Sequence, residues 1–160
     1  MKFVLPDLCD QYGDSLRVLS PMLKNFGGNN CFHGKISTIK CHEDNSFVAD
    51  AVREEGDGSV LVVDGGGSLR CALLGDNLAA IAASNSWAGI VVFGCVRDVV
   101  ALKDISIGIQ AIAPHPMKSV KRQVGLRDVE VSFGGVSFIP GQYVYADDNG
   151  VIVSEDELTN

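Results

Sequence analysis

Two short stretches hold the residues best suited to chemistry. They are Gly75-Asp76-Asn77-Leu78 and Arg97-Asp98, with twenty residues between Asp76 and Arg97. The first reads as the start of a helix. Free N–H groups in a first turn, at the positive end of the helix dipole, attract an anion, and a glycine there lets a ligand approach the backbone. A carboxylate is the natural guest. The second stretch follows the apolar run Ile90-Val91-Val92-Phe93 and Gly94-Cys95-Val96. Chemistry in open α/β sheets gathers beyond the carboxyl ends of strands. Arg97 offers a rigid fork of donors for a carboxylate or keto oxygen. Asp98 offers hard oxygens suited to Mg²⁺ or Mn²⁺. Together these residues describe a metal-assisted site for a small 2-oxo acid.

The elements that must position them are legible around them. Val60-Leu61-Val62-Val63, ended by Asp64-Gly65-Gly66-Gly67, reads as a strand buried on both faces. Ile90–Phe93, stopped at Gly94, reads as a second such strand, and Ile109–Ile112 as a third. Asp76 or Asn77 caps a helix with Leu78, Ala79, Ile81 and Ala82 on its apolar face and Asn85-Ser86 at its end. Asp44 or Asn45 caps another over about 46–55, and Phe32 to Cys41 reads as a strand. Residues 7–24 carry a broken helical pattern, and Leu69–Leu73 suggests a further short strand. From Val129 onward strands alternate with tight turns at Gly134-Gly135, Pro140-Gly141 and Asp147–Gly150. The expectation is one α/β domain over residues 1–160 with an antiparallel β extension.

Other features are weaker guides. The glycine turn Asp64-Gly65-Gly66-Gly67-Ser68 matches neither the Walker spacing nor Gly-x-Gly-x-x-Gly, so it reads as a strand-end turn; Asp64 there is a candidate carboxylate near the metal. His33, His42 and His115 lack metal-ligand spacing, and Lys118, Lys121 and Arg122 read as a solvated basic group. The five cysteines contain no Cys-x-x-Cys pair, and Cys71 and Cys95 sit in apolar company. Thirteen basic against twenty acidic residues leave a net charge of −7, which disfavours direct nucleic-acid binding and would attract a basic partner. The acidic C-terminal region, Asp147-Asp148 and Glu155-Asp156-Glu157, reads as a solvated face open to such a partner. No apolar stretch approaches the roughly 18 residues of a membrane helix, and the N-terminus turns polar too soon for a signal peptide. The chain reads as cytoplasmic.

The run Val62–Arg70, then Gly75-Asp76, then Trp87–Asp98, together with Phe133-Gly134-Gly135-Val136 and Tyr145-Ala146-Asp147, resembles a known family. That family holds the regulator of ribonuclease activity A and the class II 4-hydroxy-4-methyl-2-oxoglutarate aldolase. Its aldolase signature, an Asp, twenty residues and Arg-Asp, is reproduced by Asp76 and Arg97-Asp98. The resemblance implies a swivelling β/β/α-type domain and a homotrimer or dimer of trimers with active sites between subunits. It implies that the pyruvyl carboxylate of the substrate sits on the backbone N–H groups of Gly75, Asp76, Asn77 and Leu78. Arg97 would bind and polarise the pyruvyl oxygens, and Asp98 would hold the divalent metal, with Asp76 reaching it through water. Cleavage would give two pyruvate, and oxaloacetate decarboxylation would share the same pyruvate enolate. The likeness departs at Ala101, where many members carry an acidic residue. The longer aldolases also add a C-terminal helix whose carboxylate has no counterpart before Asn160. Leu8-Cys9-Asp10, Asn25-Phe26-Gly27-Gly28, Ile39-Lys40-Cys41 and Glu43-Asp44-Asn45 resemble the regulator branch. Its members bind and inhibit ribonuclease E without chemistry, which is the alternative function.

Overall fold

The computed structural model describes residues 2–159. In chain order they form α1 (Leu5–Tyr12), β1 (Arg17–Val18), β2 (Lys24–Asn25), β3 (Phe32–Lys40), α2 (Ser46–Val52), β4 (Val60–Asp64), β5 (Ala72–Leu74) and α3 (Asp76–Ser84). They continue with β6 (Gly89–Val96), α4 (Val99–Leu102), β7 (Gly108–Pro114), β8 (Leu126–Arg127), β9 (Val131–Phe133), β10 (Val136–Phe138), β11 (Tyr143–Asp147) and β12 (Gly150–Ser154). The main sheet runs β1-β12-β11-β3-β4-β6-β7-β2. Its centre, β3-β4-β6-β7, is parallel, and its flanks are antiparallel. The hairpin β9–β10 forms a separate small sheet.

Alternate residues of the central strands feed two cores. Leu61 and Val63 of β4, Ile90 and Val92 of β6 and Ile39 of β3 face α2 and α3. Val60 and Val62 of β4 and Val91 of β6 face the hairpin, where Phe133 and Phe138 stack at 4.6 Å. Because both faces are covered, β4 is buried at every residue, as its unbroken apolar run anticipates. Each fully buried Val, Leu or Ile contributes about 1.5–3 kcal/mol. The result is a helix layer, a mixed sheet and a β-hairpin layer: an α/β fold with an antiparallel extension.

Several boundaries differ from the sequence reading. The pattern over 7–24 is not one helix: α1 stops at Tyr12, where Gly13 takes φ +51°, and Arg17-Val18 instead pair with β12. The helix expected over 46–55 ends at Val52. The strand expected over Leu69–Leu73 is β5, Ala72–Leu74. Gly94 does not stop β6, which runs on to Val96 because a new neighbour takes over there. β4 pairs with residues 89–93 of β6, and β5 then pairs with Cys95 and Val96. The chain thus leaves the sheet after Asp64 and returns on the same side of the same strand. Asp147 is not solvated: it is buried and accepts the N–H groups of Leu5 at 2.9 Å and Asn149 at 2.7 Å, tying α1 to the β11–β12 turn.

Candidate functional site

The return of β5 beside β6 builds the site. Leu74 ends β5, and its carbonyl accepts the N–H of Arg97 at 2.9 Å. Gly75 and Arg97 therefore emerge from adjacent strands at the same end of the sheet. Gly75 is the N-cap of α3, with φ −132°, extended backbone open to any residue. Space, not conformation, requires glycine here. A Cβ at this position would lie 2.6 Å from Asp98 Oδ2 and 3.3 Å from Arg97 Cγ.

Asp98 follows as the N-cap of α4, in the left-handed region at φ 57°, ψ 39°. Asp tolerates that conformation better than most residues, at a cost of about 1–2 kcal/mol. Its carbonyl accepts the Leu102 N–H at 3.0 Å and starts α4. Its carboxylate turns back toward α3, where Oδ2 lies 3.4 Å from the Asp76 N–H and 3.8 Å from Arg97 Nε. Both side chains keep access to solvent, 41% for Arg97 and 43% for Asp98, so a ligand can reach them.

The four backbone donors expected at 75–78 are not equivalent. The Asp76 N–H faces Asp98, and the Asn77 N–H is taken at 2.8 Å by the side chain of Asp76. Among the described residues, the N–H groups of Gly75 and Leu78 donate to no protein acceptor. An incoming carboxylate therefore meets two open donors, with a third shared with Asp98.

For a metal, no group of three His, Cys, Asp or Glu side chains gathers among the described residues. Asp98 instead offers one half-exposed carboxylate, with Asp76 beside it. That donor set fits Mg²⁺ or Mn²⁺, which keep several waters and take one or two carboxylates plus substrate oxygens. It does not fit a closed four-ligand zinc site.

The remaining candidates fall elsewhere. Asp64 closes its own glycine turn by accepting the Gly66 N–H at 2.9 Å. His42 lies 3.3 Å from Arg70, which pairs with Glu43. His33 stacks on Tyr145 at 5.2 Å, and burial lowers its pKa. Lys118, Lys121 and Arg122 are exposed, and Cys71 and Cys95 are buried free thiols, as expected. Among the described residues no helix is long and apolar enough to cross a membrane.

Sequence reasoning missed a buried polar cluster at the start of α2. Asp44 is 3% exposed; one carboxylate oxygen accepts the N–H and hydroxyl of Ser46, the other the N–H groups of Arg122 at 2.8 Å and Val124 at 3.1 Å. Burial alone pushes its pKa up, but these four bonds outweigh it and bring it down to about 2. Of the two expected caps, Asp44 or Asn45, Asn45 occupies the N-cap position but makes no capping bond; its side chain reaches Leu73 and Ser119 instead. Adjacent Asp-Asn-Ser residues signal a helix start, but partners some 75 residues away are invisible in a local pattern.

Residues 5–153 match the family described as RraA-like, Aldolase/RraA. A Pseudomonas putida (strain W619) protein named "Putative 4-hydroxy-4-methyl-2-oxoglutarate aldolase" is 61% identical over 156 residues, covering 98% of this chain and 96% of that protein. The solved structure of the RNA-processing inhibitor RraA from Thermus thermophilis superposes with TM-score 0.95 at 42% identity, over 100% of this chain and 97% of that one. A Geobacillus kaustophilus HTA426 structure, described as S-adenosylmethionine: 2-dimethylmenaquinone methyltransferase, gives TM-score 0.96 at 45% identity over 99% of each chain. Three relatives thus carry three different descriptions, so the residues must decide between them.

Proposed function

This chain belongs to the RraA-like aldolase family, and from that premise we propose that it is a divalent-metal-dependent lyase, cleaving 4-hydroxy-4-methyl-2-oxoglutarate to two pyruvate and decarboxylating oxaloacetate at the same site. The observation that carries the proposal is the Leu74–Arg97 backbone bond, which brings a helix start with open donors alongside an Arg-Asp pair.

The pyruvyl carboxylate of the substrate docks on the Gly75 and Leu78 N–H groups, held by the positive end of α3. Arg97 directs its guanidinium at the pyruvyl oxygens and stabilises the negative charge that grows on the C2 oxygen. The C3–C4 bond then breaks. The C4 hydroxyl loses its proton and becomes the carbonyl of one pyruvate. The bonding pair stays on C3 as the enolate of the second, which takes up a proton. With oxaloacetate the departing fragment is CO₂ and the enolate is the same. Mg²⁺ or Mn²⁺, held by Asp98 with Asp76 reaching it through water, would supply Lewis-acid stabilisation worth several kcal/mol. No lysine is needed for a Schiff base. In this proposal the protein works as a homotrimer or dimer of trimers in the cytoplasm, and its mass in solution tests the assembly.

A coupled assay for pyruvate, run with each substrate in Mg²⁺ or Mn²⁺ and again with chelator, tests the reaction. Turnover that chelation abolishes is expected; no turnover of either compound refutes the proposal. The second reading, a non-catalytic regulator of ribonuclease E, is supported by the net charge of −7 and by the likeness to the Thermus thermophilis inhibitor. It predicts salt-sensitive association with ribonuclease E. A pull-down at low salt that recovers nothing removes it.

A further inference from the structure

β5 is a three-residue strand with one strand neighbour, β6, and it carries Gly75 directly after it. Its other edge is held by isolated contacts. The Ala72 N–H donates to the Met117 carbonyl at 2.7 Å, and the Leu73 carbonyl accepts the side-chain amide of Asn45 at 3.1 Å. An isolated backbone bridge at Ala72 and the Asn45 side chain at Leu73 thus stand in place of a further strand.

The orientation of that amide is fixed. Ser119 Oγ accepts the Asn45 backbone N–H at 3.1 Å and donates to Asn45 Oδ1 at 2.9 Å, which leaves Nδ2 to face Leu73. Asn45 is 9% exposed, Ser119 6% and Leu73 2%, so none of these bonds competes with bulk water. The next carbonyl along, that of Leu74, accepts the Arg97 N–H. β5 is therefore clamped between the Asn45 amide and the Arg97 backbone, one residue before the N-cap of α3.

We propose that Asn45, oriented by Ser119, is a positioning residue for the carboxylate-binding half of the site: it sets where the Gly75 and Leu78 donors stand relative to Arg97. The inference rests on the proposed 2-oxo acid site and deepens it. Asn45 touches no reacting atom. It acts on α3 through β5, whereas Asp98 hangs on β6 and α4, to which the Asn45 side chain makes no hydrogen bond among the described residues. The two halves of the site respond differently to its loss.

Asn45→Asp keeps the shape and removes the donor, setting a carboxylate against the Leu73 carbonyl. Ser119→Ala leaves the amide in place without its orienting hydroxyl. Mn²⁺ binding is measured by the loss of free-ion electron paramagnetic resonance signal, and pyruvate binding by calorimetry at saturating Mn²⁺. Asn45→Asp is expected to weaken pyruvate binding at least about tenfold, the scale of one uncompensated buried acceptor. Ser119→Ala is expected to weaken it about threefold. Mn²⁺ affinity stays within about twofold in both. Unchanged pyruvate affinity overturns the inference, and so does parallel weakening of both ligands, which marks a general structural role. Should Asn45→Asp not fold, Ser119→Ala decides by the same two criteria. A wild-type protein that binds Mn²⁺ but not pyruvate, or neither, is a distinct result. It refutes the proposed site itself, and the inference with it.

Discussion

Gly75→Ala is the sharpest test of the site, because the structure predicts loss of function without loss of fold. The backbone at Gly75 is extended, at φ −132°, so alanine meets no conformational penalty. Replacing glycine at a compatible position typically stabilises by about 0.4–1 kcal/mol through the unfolded chain. The new methyl, however, would stand 2.6 Å from Asp98 Oδ2, whereas ordinary contact begins at 3.4 Å. The carboxylate must retreat by the difference, about 0.8 Å. It is held there by a 3.4 Å bond to the Asp76 N–H and a half-exposed 3.8 Å ion pair with Arg97 Nε, so it moves while the cores stay put. A misplacement of about 1 Å in a catalytic group costs on the order of 100-fold in rate, or about 2.7 kcal/mol of transition-state stabilisation. The pyruvate assay should therefore show kcat/KM reduced about 100-fold. The melting temperature should stay within a few degrees of wild type. Undiminished kcat/KM would show that Asp98 has no role beside α3 in turnover. A loss matched by a collapse in melting temperature would refute the claim that the contact is local.

Arg97→Lys keeps the charge but loses the planar fork; kcat/KM for oxaloacetate should fall at least about tenfold, and retained activity would remove Arg97 from carboxylate or oxyanion recognition. Asp98→Asn preserves shape and tolerance of positive φ, so it should abolish metal-dependent turnover with an unchanged melting temperature. Asp98→Val, β-branched at φ 57°, should also lower that temperature by several degrees; equal melting temperatures would show that α4 relaxes around the position. For Asp44 the folded pKa of about 2 lies below the ordinary 3.8, so its stabilisation is complete above about pH 4 and lost as pH falls through about 2. That contribution is about 2 kcal/mol. Acid titrations should show Asp44→Asn less stable than wild type at neutral pH, with the gap closing below about pH 4; a pH-independent gap would exclude linkage through this carboxylate.

What could be read from sequence followed from the range of the forces involved. The buried strands β4 and β6 show as apolar runs, because burial on both faces leaves no polar alternation. Gly75–Leu78 and Arg97-Asp98 stand out because helix starts and strand ends have local chemical signatures. Two things did not show. The extension of β6 through Gly94 depends on β5 arriving as its new neighbour, a tertiary event that overrides the local break. The pairing of Arg17-Val18 with β12 likewise depends on residues more than 130 positions away. Within the site, the unequal standing of the four backbone donors arises from side-chain geometry at Asp76 and Asp98. The Asp44–Asn45–Ser119 cluster spans about 75 residues of sequence, and no periodicity announces it.

The departure of the chain after Asp64 and its return at Ala72 has a consequence for how such a protein diversifies. The excursion over 65–71 begins and ends against one strand, so its two ends are anchored independently of what lies between. Exposed Leu69 and Arg70 form its tip. The excursion therefore has a fixed glycine base and a variable tip. Its glycines are fixed against Phe93 and His42, but its exposed tip can drift while the Leu74–Arg97 junction keeps its alignment. Lengthening a flexible loop costs little, about 0.6 kcal/mol per doubling. Changes at the tip can thus accumulate without any change in Gly75, Arg97 or Asp98, the residues proposed to perform the chemistry.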